Sequence, residues 1–284
     1  MIIDTAAKQL LFSTIRIEGV SKDGSVSCGT AFMLTHEFPG YGTETFVVTN
    51  KHVVQGLEAA QLYFTRKRGN QPVIGNTFAY RCGAGFGSAF HGHPHSDIDI
   101  AVFPVSFLLG MAQKNADREA FIMPCSTQTI PTPEALQELD AILPLLFVGY
   151  PDGLYDDKHM TPIVRTGTTA TPVTLDYCGT PVFLMDASVF PGSSGSPVFT
   201  FRHTIDGGIA DLRLLGIISS VFVQSDTGEL CIQPVPTSDT VQVKIKQLLD
   251  LGIVFKGHLI IEAIVDCWKH QEAALRAYRL HSNR

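Results

Sequence analysis

The sequence predicts an all-β fold built from two packed barrels or sandwiches, with helices at the C-terminal end. Three features of the 284-residue chain point this way. Its hydrophobic runs are short, rich in β-branched residues and bounded by turns. Its 25 glycines and 16 prolines are spread along the chain, as in proteins with many short strands. Marked helical spacing of apolar residues begins only after residue 238.

About six strands are expected in each half of the chain. In the first half, apolar runs and alternating patterns place them at 10–18, 26–34, 44–49, 59–65, 72–80 and 98–104. Residues 106–140 form the connection between the halves, with a short helix over 133–140. In the second half the strands are placed at 143–149, 161–170, 180–187, 196–201, 212–221 and 229–235.

Two helices are predicted near the C-terminus. The first covers 238–252, where Gly252 stands just past the last residue with helical spacing. The residues with that spacing are Val241, Ile245, Leu248 and Leu249. The second covers 259–280, and its apolar face would consist of Ile261, Ile264, Val265, Trp268 and Leu275.

These elements divide the chain into three parts. An N-terminal barrel is expected over 1–110, a second barrel over 111–255 and a helical extension over 256–284. We interpret the extension as a structural cap on the second barrel, with partner binding as the alternative.

Composition excludes several classes of partner. The net charge is −6, and the densest basic stretch, residues 66–68, is too short to indicate nucleic-acid binding. The N-terminus has no basic region before an apolar core, and no apolar window of about 18 residues occurs, so we expect neither a signal peptide nor membrane association.

The cysteines indicate a reducing compartment. They are widely spaced and form no Cys-x-x-Cys pair. We therefore expect reduced, mostly buried thiols and a cytoplasmic protein. The six residues are Cys28, Cys82, Cys125, Cys178, Cys231 and Cys267.

Three short segments carry residues suited to nucleophilic catalysis. His52 follows the apolar run 46–48, Asp99 opens an apolar strand, and Ser194 lies in the loop PGSSGSP over 191–197. Each segment alone is typical of ordinary turns and strand ends. In the order His, Asp, Ser they supply the base, the orienting carboxylate and the nucleophile of acyl transfer.

Together these segments resemble the trypsin-like serine peptidases, nearest to the catalytic domain of the bacterial HtrA/Deg type, over roughly residues 10–250. The resemblance implies two six-stranded antiparallel β-barrels of the chymotrypsin fold, followed here by helices in place of the family's frequent PDZ module. The matching segments are 49–53 (TNKHV), 99–102 (DIAV), 186–197 (DASVFPGSSGSP), 215–219 (LGIIS), 149–151 (GYP) and 162–167 (PIVRTG).

The resemblance assigns a role to each matching residue. Ser194 is the nucleophile, His52 the general base and Asp99 its orienting carboxylate, and the amides of Gly192 and Ser194 form the oxyanion hole. Asp97 competes for the role of the acid, but Ile-Ala-Val follows Asp99 as in the family. The substrate-binding residues are Ser188, Ser219, Ser220 and Val221.

Two departures from digestive trypsins predict the type of peptidase. Ser193 stands where zymogen-type enzymes have an acid that pairs with a new N-terminus, so activity should not depend on N-terminal cleavage. Ser188 stands at the base of the specificity pocket. Because a neutral base cannot hold Arg or Lys by charge, small or medium apolar P1 side chains are expected.

Two other functions stay open at this point. One is an inactive or conditionally active module that binds peptides at an exposed strand near residues 219–221. The other is a metal-dependent hydrolase using His91, His93 and His95, which alternate on one strand face. The pattern favours a loop that enters the Asp99 strand, so we predict no metal ligands and no cofactor. Expected partners are a protein or peptide substrate and either a regulatory protein or a second copy of the chain.

Overall fold

A computed structural model describes the backbone of residues 1–105, 119–230 and 241–282, and the side chains of 1–105, 119–222 and 249–272. The predicted all-β fold is confirmed. The strands are β1 (Thr14–Ser21), β2 (Val26–Phe38), β3 (Gly42–Thr49), β4 (Leu57–Arg68), β5 (Gln71–Cys82), β6 (His91–Gly92), β7 (Ala101–Pro104), β8 (Ala120–Phe121), β9 (Cys125–Ser126), β10 (Pro144–Gly149), β11 (Ile163–Thr169), β12 (Val182–Asp186), β13 (Pro197–His203), β14 (Ile209–Leu230) and β15 (Val241–Lys256).

Helices are few and mostly short. Residues 6–10 form a helix capped by the Thr5 hydroxyl, and for this reason the strand predicted from residue 10 begins only at Thr14. The helix predicted over 133–140 covers Pro133–Gln137. The helices are α1 (Ala6–Leu10), α2 (Lys51–Val54), α3 (Phe86–Ala89), α4 (Pro133–Gln137) and α5 (His258–Ser282).

The first half forms one curved sheet. Its strands follow the order β5-β4-β1-β2-β3-β7-β6, with β8 on β4 and β9 on β2. Phe78 of β5 and Ala101 of β7 belong to the same buried cluster, so strands near opposite ends of the sheet share one core. Antiparallel pairing of β3 with β7 places Thr49 opposite Ala101, which brings together the segments that carry His52 and Asp99.

The second half is a closed six-stranded barrel in the order β10-β11-β12-β15-β14-β13. Closure removes the exposed edges that an open sheet would present. Its interior is filled by large apolar side chains from alternate strand positions. They include Leu145, Phe147, Phe183, Met185 and Val254.

The helix predicted over 238–252 is wrong, because this region contains β15. Val254 is fully buried and lies opposite Phe183 of β12 on one side and Ile218 of β14 on the other. The barrel needs a sixth strand between β12 and β14, and this pairing overrides the helical spacing. The separate strand predicted from residue 229 is also wrong, since residues 229–230 end β14, and residues 231–235 lie outside the described residues.

Helix α5 packs against both the first sheet and the barrel. Its buried residues share one cluster with Phe38 of the first sheet and Phe199 of the barrel. The predicted apolar face is rotated, since of its described members Ile264 is fully buried while Ile261, Val265 and Trp268 are half-buried. The side chain of Leu275 lies outside the described residues. The buried residues of the helix are Leu259, Ile260, Ala263, Ile264 and Cys267. No helix in the described part of the chain is long and apolar enough to cross a membrane.

The five described cysteines are free thiols. Cys267 is buried, Cys28, Cys82 and Cys125 are half-buried, and Cys178 is exposed, so the expected burial is complete only for Cys267. Burial raises the pKa of the Cys267 thiol to about 11, which keeps it protonated and unreactive at neutral pH. Cys231 lies outside the described residues.

Candidate active site

His52 and Asp99 meet at the junction of β3 and β7. His52 lies in α2, directly after β3, and its Nδ1 is 2.5 Å from Asp99 Oδ2. The backbone amide of His52 donates to Asp99 Oδ1 at 3.0 Å. Gly29 on β2 leaves room for this short helix, because a Cβ there would lie 2.5 Å from Val53 Cγ1. The carboxylate therefore fixes both the helix and the imidazole.

Neighbouring polar groups hold Asp99 in place. Asn50 donates to its carbonyl oxygen at 2.7 Å, and the Ser219 hydroxyl donates to its Oδ2 at 2.7 Å. Asp97 is exposed and accepts a hydrogen bond from Ser96. The structure thus brings Asp99, the preferred acid of the sequence prediction, to His52 and leaves Asp97 at the surface.

The pKa of Asp99 lies below its ordinary value of 3.8. Burial acts to raise this pKa, but the hydrogen bonds from His52 and Ser219 favour the charged form and outweigh it. Asp99 is therefore a carboxylate at neutral pH. An ionised acceptor directs the His52 Nδ1 proton towards itself, which leaves Nε2 free to accept a proton.

The loop after β12 contains two backbone amides without a backbone acceptor among the described residues. The Pro191 carbonyl accepts the Asp152 amide at 2.5 Å, and Gly192 adopts a left-handed φ of 83°. Because the peptide groups of the described residues are trans, the Gly192 N–H points away from the Pro191 carbonyl. The amides of Gly192 and Ser194 have no backbone acceptor among the described residues. Two such free donors make a pocket for an oxyanion.

The Ser194 hydroxyl points to the second barrel in this structure. It donates to the Ser219 carbonyl at 3.1 Å and makes no hydrogen bond with the described side chain of His52. Hydroxyl–imidazole contacts of this kind are often loose before substrate binds. Rotation about χ1 between staggered positions can redirect such a hydroxyl.

The predicted substrate-binding residues lie on adjacent segments. The Ala187 amide donates to the Asp250 carbonyl at 2.9 Å, which joins the segment containing Ser188 to β15. Val221 lies opposite Gly252 in the ladder of β14 and β15. Ser188 and Ser220 are exposed, Val221 is half-buried and Ser219 is buried.

The family model of the trypsin-like peptidase domain matches residues 29–205, which include His52, Asp99 and Ser194. The chain belongs to the trypsin-like peptidases. It is a serine endopeptidase of this family.

Solved structures with a similar fold are distant in sequence. A thermostable serine protease, AL20, from an extremophilic microorganism shares 12% identity, with 89% of this chain and 95% of that chain covered and a TM-score of 0.47. HL collagenase shares 13%, with 75% and 84% covered and a TM-score of 0.43. A protein titled GrC shares 13%, with 93% and 95% covered and a TM-score of 0.46. Among curated proteins, no sequence matches the chain.

Ser193 distinguishes this peptidase from zymogen-type members of its family. The residue is buried, and its hydroxyl has no hydrogen-bond partner among the described residues. Its amide donates to the Phe190 carbonyl at 3.0 Å, so the loop is held through its backbone. No carboxylate stands at this position to pair with an N-terminal ammonium group.

Thr30 of β2 is a positioning residue that the sequence reasoning missed. Its hydroxyl donates to the Gly192 carbonyl at 2.9 Å and accepts the Tyr150 amide at 3.0 Å. Its own amide donates to the Ser194 carbonyl at 3.0 Å. Thr30 therefore ties the nucleophile loop of the peptidase to the first sheet. In the sequence, the role of Thr30 was indicated only by its place after Gly29 in the segment CGT, and this pattern is common in strands.

Replacing Thr30 with valine is expected to lower kcat about tenfold while leaving the fold intact. Valine keeps the shape but loses two hydrogen bonds of about 1 kcal/mol each, and the Gly192 carbonyl is left unpaired. Thr30→Ser, which keeps the hydroxyl, is the matched control and should retain most activity. Steady-state kinetics on a peptide substrate, with circular dichroism to check folding, measures both. Equal kcat for the two variants would contradict this role.

Proposed function

We propose that this serine endopeptidase cleaves peptide bonds through an acyl-enzyme, with Ser194, His52 and Asp99 as its catalytic triad. The observation that carries the proposal is the Asp99–His52 hydrogen bond of 2.5 Å beside the Ser194 loop. The Ser219 hydroxyl supports the same carboxylate from the second half of the molecule. The residues of the proposed triad thus come from both halves of the molecule.

The reaction follows from the roles of these groups. His52 Nε2 accepts the Ser194 hydroxyl proton as Oγ attacks the scissile carbonyl carbon. The amides of Gly192 and Ser194 stabilise the negative charge on the tetrahedral oxygen. His52 then gives the proton to the leaving amine, and water hydrolyses the resulting ester by the same steps. Asp99 holds the imidazole orientation and stabilises its protonated form.

Strand β14 has a free edge beside Ser194 to which a substrate backbone can add. The described pairing of β13 with β14 ends at Ile217, and Ile218 exchanges hydrogen bonds with Gly195 and Ser196. Beyond it, Ser219 and Ser220 pair with no described strand on that side. An extended peptide adding to this edge would place a carbonyl near Ser194.

Small or medium apolar side chains are proposed at P1. Ser188 is neutral, and the adjacent Val189 and Val221 are apolar. Gly252 lies opposite Val221 in the ladder of β14 and β15 and adds no side chain beside it. The Arg165 guanidinium stacks 4.8 Å from the Phe190 ring centroid, which places positive charge beside the same loop and disfavours a basic P1 residue.

Peptide-library profiling with mass-spectrometric readout tests this preference. We expect cleavage after Ala, Val or other small and medium apolar residues, and at least about tenfold slower cleavage after Arg or Lys, the scale of one misfit in a specificity pocket. The Ser194→Ala chain is the control for contaminating peptidases. A clear preference for Arg at P1 would contradict the proposed pocket.

The second candidate function is a conditionally active peptide-binding module. The observation in its favour is that the Ser194 hydroxyl donates to the Ser219 carbonyl and makes no described hydrogen bond with His52. A substrate strand that takes over the Ser219 carbonyl would release this hydroxyl. Turnover that begins only after an added peptide binds would favour this function. The cytoplasmic location and the regulatory partner or second copy of the chain stay predictions.

A further inference from the structure

We propose that His91, Asp266 and His270 form a binding site for a divalent transition-metal ion, best fitted by Zn²⁺, between the first sheet and α5. The ligand atoms of these three side chains all lie within 4.8 Å of one another. None of the three belongs to the proposed triad. Two imidazoles and one carboxylate are a donor set that suits Zn²⁺, with a fourth position left for water.

The fold brings these residues together from distant parts of the chain. His91 lies on β6, which pairs with β7, and Asp266 and His270 stand one turn apart on α5. The helix is fixed in register by Trp268, whose ring stacks on Phe38 at 4.3 Å. The ligands are therefore carried by packed elements rather than by a loose loop.

The distances are close to those that a tetrahedral ion needs. His91 Nε2 lies 2.6 Å and His270 Nδ1 lies 3.5 Å from Asp266 Oδ2. His270 Nδ1 also makes a 2.9 Å hydrogen bond with the Asp266 carbonyl oxygen, which an ion bound at this nitrogen would replace. Ligand atoms around Zn²⁺ at about 2.0–2.1 Å are separated by about 3.3 Å in tetrahedral geometry. Small side-chain rotations would lengthen the distance between His91 Nε2 and Asp266 Oδ2 and shorten the distance between the imidazoles of His91 and His270. The ion would replace the His91–Asp266 hydrogen bond with two metal–ligand bonds.

His93 and Glu262 form a second contact between the segment after β6 and α5. His93 is buried, and its Nδ1 accepts the His95 amide at 3.1 Å, so in the neutral ring the proton sits on Nε2. That nitrogen lies 3.4 Å from Glu262 Oε2, one turn before Asp266 on α5, without a described hydrogen bond. His91 and His93 therefore face the helix, and among the described residues His91 is the one that meets two further candidate ligands.

An ion at this site would link α5 to the segment that leads to Asp99. β6 pairs with β7 through His91 and Val102, and the His93 amide donates to the Ile100 carbonyl at 2.8 Å. We therefore expect the ion to stabilise the folded chain in proportion to its occupancy.

Isothermal titration with Zn²⁺ alone tests the proposal, using the Ser194→Ala chain to prevent self-digestion. We expect one ion per chain and a rise in Tm on binding. His91→Asn and His270→Asn should each weaken binding at least tenfold, since even outer partners of metal ligands cause losses of about 10–100-fold. His159→Asn is the matched control, because His159 forms a 2.7 Å pair with Asp156 without a third ligand.

Three results would overturn the site. One is the absence of Zn²⁺ binding at micromolar concentration, and another is unchanged affinity in His270→Asn. The third is an equal loss in His159→Asn, which would indicate scattered surface binding. The His270 side chain is 66% exposed, so its substitution leaves packing intact and decides the question even if His91→Asn fails to fold. Because titration needs no turnover, failure here is separate from failure of the triad.

Discussion

Replacing Ser194 with alanine is expected to lower kcat/KM for peptide hydrolysis by about 10⁵-fold, the scale on which nucleophile deletion acts in triad enzymes. The residue is half-buried, and its hydroxyl makes one hydrogen bond, to the Ser219 carbonyl. Its loss should therefore change Tm little. Steady-state kinetics together with thermal unfolding separates the loss of chemistry from a loss of fold.

Ser193→Ala is the matched control for this variant. Ser193 neighbours the nucleophile and is buried, but its hydroxyl has no described partner. Removing an unpaired buried hydroxyl costs little and can stabilise the chain. We expect activity within about threefold of the wild type, because no bond of the loop is lost. If Ser193→Ala abolished activity and Ser194→Ala did not, the assignment of the nucleophile would be wrong.

Replacing Asp99 with asparagine is expected to lower kcat about 10⁴-fold, as loss of the orienting carboxylate does in this kind of triad. Asparagine presents an amide where Oδ2 accepts both His52 Nδ1 and the Ser219 hydroxyl. A donor facing Nδ1 favours the tautomer with its proton on Nε2, which cannot accept the Ser194 proton. In Asp99→Asn the dependence of kcat on pH should change as well as the value of kcat.

Asp97→Asn is the control for the second variant. Asp97 lies two residues earlier, is exposed and makes its described hydrogen bond with Ser96. We expect near wild-type kcat from it, since exposed substitutions away from the site have small effects. A large loss in Asp97→Asn with little loss in Asp99→Asn would reverse the assignment that the geometry favours.

Much of the fold could be predicted because its strands carry local signals. Phe46, Val47 and Val48 form a buried run that ends at the segment of His52, and Leu145 and Phe147 alternate inward along β10. β15 could not be predicted in this way. Its position depends on pairing with β14, the strand before it, and with β12, which is distant in sequence, whereas Val241 and Ile245 also fit a helical period.

The candidate site likewise contains residues that could be predicted from the sequence and residues that could not. His52, Asp99 and Ser194 stand in motifs whose order and flanking residues could be recognised. Thr30 could not, because its role depends on Gly192, 162 positions away along the chain. The proposed metal ligands have the same property, since His91 meets Asp266 across 175 positions. Groups joined only by the packing of the two halves leave no pattern in one sequence.

Covalent labelling with a fluorophosphonate probe tests the central claim most directly. The probe reacts with a serine only where a base and an oxyanion pocket activate it. We predict a single adduct by intact mass, mapped by peptide sequencing to Ser194, present in Ser193→Ala and absent in Ser194→Ala. An adduct that persists in Ser194→Ala, or a folded wild-type chain that stays unlabelled even with peptide substrate present, would contradict the proposed triad.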